Sequence, residues 1–107
     1  MPWIVLAISG LLEVVWATAL KASDGFSKPL YSGIVAVAAF LSFWLLAYAM
    51  RSLPLGTAYP VWVGIGAVGA FVVGIVVFSE EASPLRIASA ALIVIGIAGL
   101  KLAEGQA

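Results

Sequence analysis

Four apolar runs, each close to the ~20 residues that an α-helix needs to cross a bilayer, leave this 107-residue chain little choice of fold. Their expected bounds are 3–20, 30–50, 57–78 and 84–102, and the connections between them are short. Only 9% of the residues are charged, against about 25% in a soluble domain. The expected fold is therefore all-α: a single four-helix transmembrane domain over residues 1–107. The formal net charge is zero and there is no basic run, so the chain carries no footprint for nucleic acid. It has no Cys and no His, which excludes disulfides, thiol chemistry and His-based catalysis or zinc binding. Ala17-Thr18-Ala19 resembles a small-residue cleavage site, but no Lys or Arg precedes Ile4 and Glu13 interrupts the apolar run. The first run is expected to stay as a transmembrane helix.

The connections carry the usual punctuation. Asp24-Gly25 is a turn pair in the first. Pro29 and Pro84 suit first helical turns, and Ser83 suits an N-cap before Pro84. Short connections make successive helices antiparallel, so both ends of the domain fall on one side. That side carries Arg51 and Lys101, and the other carries Lys21, Lys28 and Arg86. Two cations against three give the positive-inside rule almost nothing to act on. Either a single orientation is weakly encoded or the chain inserts both ways. Inverted repeats around a midplane site are a common basis for alternating access. Four helices supply one half of such a structure, and an antiparallel homodimer would supply the other.

Glu13 is the only charged residue in the first run. A carboxylate at membrane depth costs ~2.5 kcal/mol or more, and segments that carry one generally use it for ions, protons or a charged substrate. At about 100° per residue, Leu6, Ser9, Gly10, Glu13, Trp16, Ala17 and Leu20 share a face. Gly10, Ser9 and Ala17 leave room beside the carboxylate, or serve close helix packing. Trp16 lies one turn from Glu13, deeper than the interfacial position that suits Trp3. In the third run Tyr59, Trp62, Val63, Gly66, Gly69 and Ala70 share a face. Tyr59 and Trp62 form an aromatic wall suited to a cation, or pack as ordinary interfacial rings. Gly64 and Gly66, with Pro60, make this the easiest helix to bend. Ser42 is the most central hydroxyl of the second run, where a lone serine commonly bonds its own helix. Ser89 and Gly96, seven apart in the fourth run, read as a small-residue helix–helix seam. No phosphate loop, nucleophile–base pair or second intramembrane acid is visible, which argues against an enzyme and against ATP as an energy source. One carboxylate for which proton and cation compete can still couple two fluxes by exchange.

These motifs together resemble the small multidrug resistance family. The likeness rests on Gly10-Leu-Leu-Glu13-Val-Val-Trp16-Ala-Thr-Ala-Leu-Lys21, Gly25-Phe26, Ser52-Leu-Pro54-Leu-Gly56-Thr-Ala-Tyr59, Trp62-Val-Gly64-Ile-Gly66-Ala and Gly96-Ile-Ala-Gly99-Leu-Lys101. Trp16 and Ser42 resemble the guanidinium-exporting branch, whereas polyaromatic-drug exporters usually place Gly-Thr after the acid. The resemblance implies a proton-coupled antiporter of guanidinium or small substituted guanidinium cations, needing no cofactor or metal. It would work as an antiparallel homodimer in the inner (plasma) membrane. Glu13 would bind cation or proton, Trp16 and Ser42 would orient the carboxylate by hydrogen bonds, and Tyr59 and Trp62 would line the site with Gly10 beside it. Gly64 and Gly66 would form the bend of the third helix, and Ser89 and Gly96 the dimer seam. Two positions depart from the family pattern: Pro60 stands where Ala is usual, and Val63 where a small hydroxyl residue is usual. A broader exporter of quaternary ammonium compounds is the alternative on the same scaffold. A non-transporting membrane assembly subunit, whose Glu13 pairs with a basic residue of another protein, is the alternative from a different class.

Overall fold

The computed structural model describes residues 2–105 as four helices: α1 (Pro2–Ala22), α2 (Pro29–Ala49), α3 (Leu55–Phe78) and α4 (Pro84–Gly105). All four are long and apolar enough to cross a membrane. At 1.5 Å per residue α1, with 21 residues, is about 31 Å long, which matches the ~30 Å hydrocarbon core.

The helix ends follow from local chemistry. Ser23 stops α1. Its hydroxyl donates to Leu20 O at 2.7 Å and accepts from Phe26 N at 3.0 Å. Its carbonyl accepts from Ser27 N and Lys28 N at 2.9 and 3.2 Å. Asp24, Gly25 and Phe26 then run left-handed, with φ of 51°, 71° and 66°. α2 starts at Pro29, where the missing N–H has no intrahelical partner to lose. α4 starts under Ser83, whose Oγ accepts from Arg86 N at 3.3 Å. α3 opens at Leu55, two residues ahead of the sequence expectation. Pro54 lies at its N-cap, and Thr57 N and Ala58 N both reach Pro54 O. α3 then runs through Pro60 without interruption.

α1 packs against α2 and α3, α3 also packs against α4, and α2 only grazes α3. In space the helices therefore form a row, α2–α1–α3–α4. The Cα envelope, 46 × 34 × 17 Å, is accordingly thin in one direction. Lys101 Nζ lies 5.3 Å from the Trp3 ring centre, and Lys21 Nζ lies 5.6 Å from that of Phe78. The chain's two ends thus share one side, and α1 runs parallel to α3. The row is tightest toward that side, where Leu6, Leu46, Ala49, Leu53, Ala58, Val61 and Trp62 form the buried cluster. No α4 residue whose side chain is described is buried. Lipid is as apolar as leucine and does not drive helices together, so close packing and hydrogen bonds must. α4 has little of either within one chain.

Candidate functional site

α1 occupies the middle of the row and carries Glu13 on the side facing α3. Gly66 is the counterpart. A Cβ built there would overlap Glu13 Oε1 and Cδ and lie 2.8 Å from Cγ, so the carboxylate rests on bare α3 backbone. Glu13 Oε1 is buried and has no hydrogen-bond partner. Trp16 Nε1, one turn along α1, is likewise buried without a partner. An unpaired buried donor or acceptor costs about 1–3 kcal/mol. Here an acceptor and a donor stand unpaired on the same face of one helix.

Beside them runs a hydrogen-bonded chain through three helices. Trp62 Nε1 donates to Ser42 Oγ at 3.1 Å, Ser42 Oγ donates to Ser9 O at 2.7 Å, and Ser9 Oγ donates to Leu6 O at 2.7 Å. Ser9 and Ser42 are fully buried. Ser42 therefore does not bond its own helix, as a lone membrane serine commonly does. Nor does it hold the Glu13 carboxylate in this conformation, because its proton is committed to Ser9 O. Trp16, the other residue expected to orient the carboxylate, has its N–H free.

The rings form a series of their own. Trp16 and Phe43 lie 6.2 Å apart between centroids, Phe43 and Trp62 5.6 Å, and Tyr59 and Trp62 5.9 Å. These separations suit aromatic pairing. Trp62 is buried while Tyr59 and Phe43 are about half exposed. Phe43 went unnoticed in the sequence because α2 is apolar all round, with no polar face to mark its neighbours. Its position beside Ser42 was the one available signal.

The remaining expected residues separate. Gly10 is buried against α3, where a Cβ would lie 2.7 Å from Ile65 Cγ2. Gly64 faces the other way, toward α4, with a Cβ position 2.8 Å from Ile97 Cδ1. Gly64 and Gly66 thus admit contacts on opposite faces of an uninterrupted helix. Ser89 is exposed and donates to Leu85 O at 2.8 Å, and Gly96 has open space around it. Val63 is 37% exposed and Pro60 is exposed, so neither of the two departures from the family pattern lies in the packed core.

A cavity of about 590 Å³ is an apolar groove between α1 and α2 lined by residues such as Leu12, Leu30 and Leu41. It offers nothing that would recognise a charged ligand. Among the described residues, no group of three or more His, Cys, Asp or Glu side chains could hold a metal. What the arrangement supplies is one carboxylate, a row of rings and unpaired hydrogen-bonding capacity at membrane depth. Those are means to bind a cation rather than to break bonds.

The family described as Small Multidrug Resistance protein matches residues 1–93. A guanidinium exporter of Escherichia coli (strain K12) is 61% identical over 102 residues, covering 95% of this chain and 97% of its own length. One from Yersinia pseudotuberculosis is 60% identical over 104 residues, covering 97% of this chain and all of its own. One from Salmonella typhimurium is 56% identical over 102 residues, covering 95% and 97%. The chain is a multi-pass membrane protein and belongs to the small multidrug resistance family, a family of transporters rather than enzymes.

Proposed function

We propose that this protein exports guanidinium or small substituted guanidinium cations across the inner (plasma) membrane in exchange for protons, as an antiparallel homodimer. The observation that carries the reading is Glu13 Oε1, buried against Gly66 and without a partner. Guanidinium is planar and presents paired N–H donors that match a carboxylate in a two-bond fork. The rings of Trp16, Phe43, Trp62 and Tyr59 offer faces to the same cation, each worth ~0.5–2 kcal/mol. A quaternary ammonium ion has no donor for the unpaired oxygen. The names of the relatives support the same substrate class.

Exchange follows from shared occupancy. A proton on Glu13 removes the charge that holds the cation, so binding one expels the other. Access from one side at a time converts that competition into antiport. The dimer reading is supported by the row itself. A slab one helix thick leaves the site walled by one chain on one side, and α4 offers an exposed surface with Ser89 and Gly96 on it. An inverted copy packed through α4 would close the site and bring a second Glu13. Bending of α3 near Gly64 and Gly66 would then move the walls.

The test is guanidinium uptake by purified protein in liposomes under an imposed pH gradient. The parent should concentrate guanidinium against its gradient and release protons in return. Glu13→Gln keeps the shape, loses charge and titration, and should abolish the coupled flux. Equal transport by Glu13→Gln would remove Glu13 from the mechanism. Robust quaternary ammonium transport without guanidinium transport would refute the substrate assignment.

A further inference from the structure

We propose that Glu80 is a second cation-binding carboxylate, set at the mouth of the α1–α3 groove that leads to Glu13, with Lys21 on the opposite wall as its resident competitor. The inference rests on the export reading above and adds the route by which the cation reaches Glu13.

The C-terminus of α3 builds the position. Ser79 adopts a left-handed conformation (φ 56°), and its N–H and that of Glu80 both turn back to Gly74 O, the latter at 3.0 Å. A non-glycine residue in that conformation needs compensation, and the two backbone bonds supply it. The turn throws Glu80 back along the helix. Its carboxylate then lies on Gly74 so closely that a Cβ there would overlap Oε1 and sit 3.0 Å from Cδ. Beside it is a cavity of about 200 Å³, lined by Thr18 and Lys21 of α1, by Gly74 and Phe78 of α3, and by Glu80 itself. The Lys21 ammonium lies 5.6 Å from the Phe78 ring centre, so the cavity's rim already holds one cation over an aromatic face.

This cavity is in register with Glu13. Glu13, Ala17 and Lys21 succeed one another at four-residue steps on α1, as do Gly66, Ala70 and Gly74 on parallel α3. Glu13 rests on the first of those glycines and Glu80 on the last. Eight residues at 1.5 Å place the two carboxylates about 12 Å apart along the helices. Between them stand Ala17 and Ala70, which line the same cavity and carry only methyl groups, while Val14 packs on Gly69 beside them at the end nearer Glu13. A carboxylate at a cleft mouth raises the local concentration of the opposite charge and speeds its entry, an effect that weakens with ionic strength. Lys21 opposes it and keeps Glu80 from holding the substrate too long.

The test is guanidinium uptake into liposomes by the purified full chain, at about 10 mM and about 200 mM ionic strength. Glu80→Gln should raise KM about three- to tenfold at low ionic strength, leave the maximal rate within about twofold, and lose most of the parent's salt dependence. Lys21→Gln should lower KM. Gly74→Ala keeps the charge but pushes the carboxylate off the groove, and should reproduce part of the Glu80→Gln effect. An unchanged KM and salt slope in Glu80→Gln, with the parent active, would overturn this proposal alone. So would a lower maximal rate at unchanged KM, which marks a structural role. If Glu80→Gln does not reconstitute, the other two variants decide: opposite KM shifts support the proposal and shifts of the same sign overturn it. No guanidinium uptake by the parent would overturn the export reading and this inference together.

Discussion

Replacing Ser42 by Ala removes two interactions with one oxygen atom. Ser42 donates to Ser9 O at 2.7 Å and accepts from Trp62 Nε1 at 3.1 Å, in surroundings where both serines are fully buried and Trp62 is 5% exposed. Interhelical hydrogen bonds in membranes average ~0.6 kcal/mol and reach ~1.7. Ser9 O keeps its place in the α1 ladder, but Trp62 Nε1 is left as a buried orphan at about 1–3 kcal/mol. Ser42→Ala should therefore destabilise the fold by about 2–4 kcal/mol. Trp62→Phe loses one bond and orphans nothing, at about 1 kcal/mol plus the smaller ring. In the double variant no N–H remains to be orphaned, so the two losses should fall short of additivity by about 1–3 kcal/mol. Unfolding of the four proteins in mixed micelles measures this cycle. Additivity within about 0.5 kcal/mol would refute the relay. Guanidinium binding to the same four proteins separates two roles for Ser42. A hydroxyl that turns to hold Glu13 in the bound state makes Ser42→Ala bind roughly tenfold more weakly or worse. A hydroxyl that only orients Trp62 makes Ser42→Ala and Trp62→Phe lose equally.

Gly66→Ala should displace the Glu13 side chain, because the new Cβ meets Cγ at 2.8 Å as well as the more mobile carboxylate. Guanidinium binding should weaken about tenfold or more, and Glu13→Asp, which withdraws the carboxylate by one methylene, should restore part of it. Failure of that pairing to restore any binding would show that Gly66 matters for bending rather than contact. The near balance of cations on the two sides predicts dual insertion: a reporter fused after Ala107, which lies outside the described residues, should be found on both faces of the membrane. A single orientation in a protein that transports as a homodimer would refute it.

The four helices were legible because a membrane segment must be long and apolar. Their ends were legible where a single residue decides them, as at Pro29 and Ser83. α1 was expected to end at Leu20 yet continues through Ala22. There the stop is a collective effect of Ser23 and three left-handed residues that no one residue announces. The order of the helices in space was not legible, because α2 and α3 are apolar nearly all round and periodicity cannot say which of their faces meets a neighbour. The face shared by Ser9, Gly10 and Glu13 could be read, since small and polar residues break the uniformity of α1. Ser42's partner could not, because a serine on an apolar helix has the same sequence signature whether it bonds its own turn or reaches across to Ser9.

The glycines of α3 show why composition alone misleads about that helix. Flexibility explains a glycine-rich membrane segment without reference to any neighbour. Here four glycines each admit something in particular: Ile97 at Gly64, the Glu13 carboxylate at Gly66, Val14 at Gly69 and the Glu80 carboxylate at Gly74. Glu13 and Glu80 each meet α3 at a glycine, where the neighbouring backbone brings no side chain to crowd a carboxylate. The same bare surface lets parallel α1 and α3 approach closely and still leave a groove of small residues between them. Packing and the proposed passage thus depend on the same atoms. A methyl added at Gly66 or Gly74 fills the groove at a carboxylate, whereas one added at Gly64 disturbs only the contact with α4. Substitutions on the α1-facing side of α3 therefore disturb that contact unless the opposing acid is shortened to compensate.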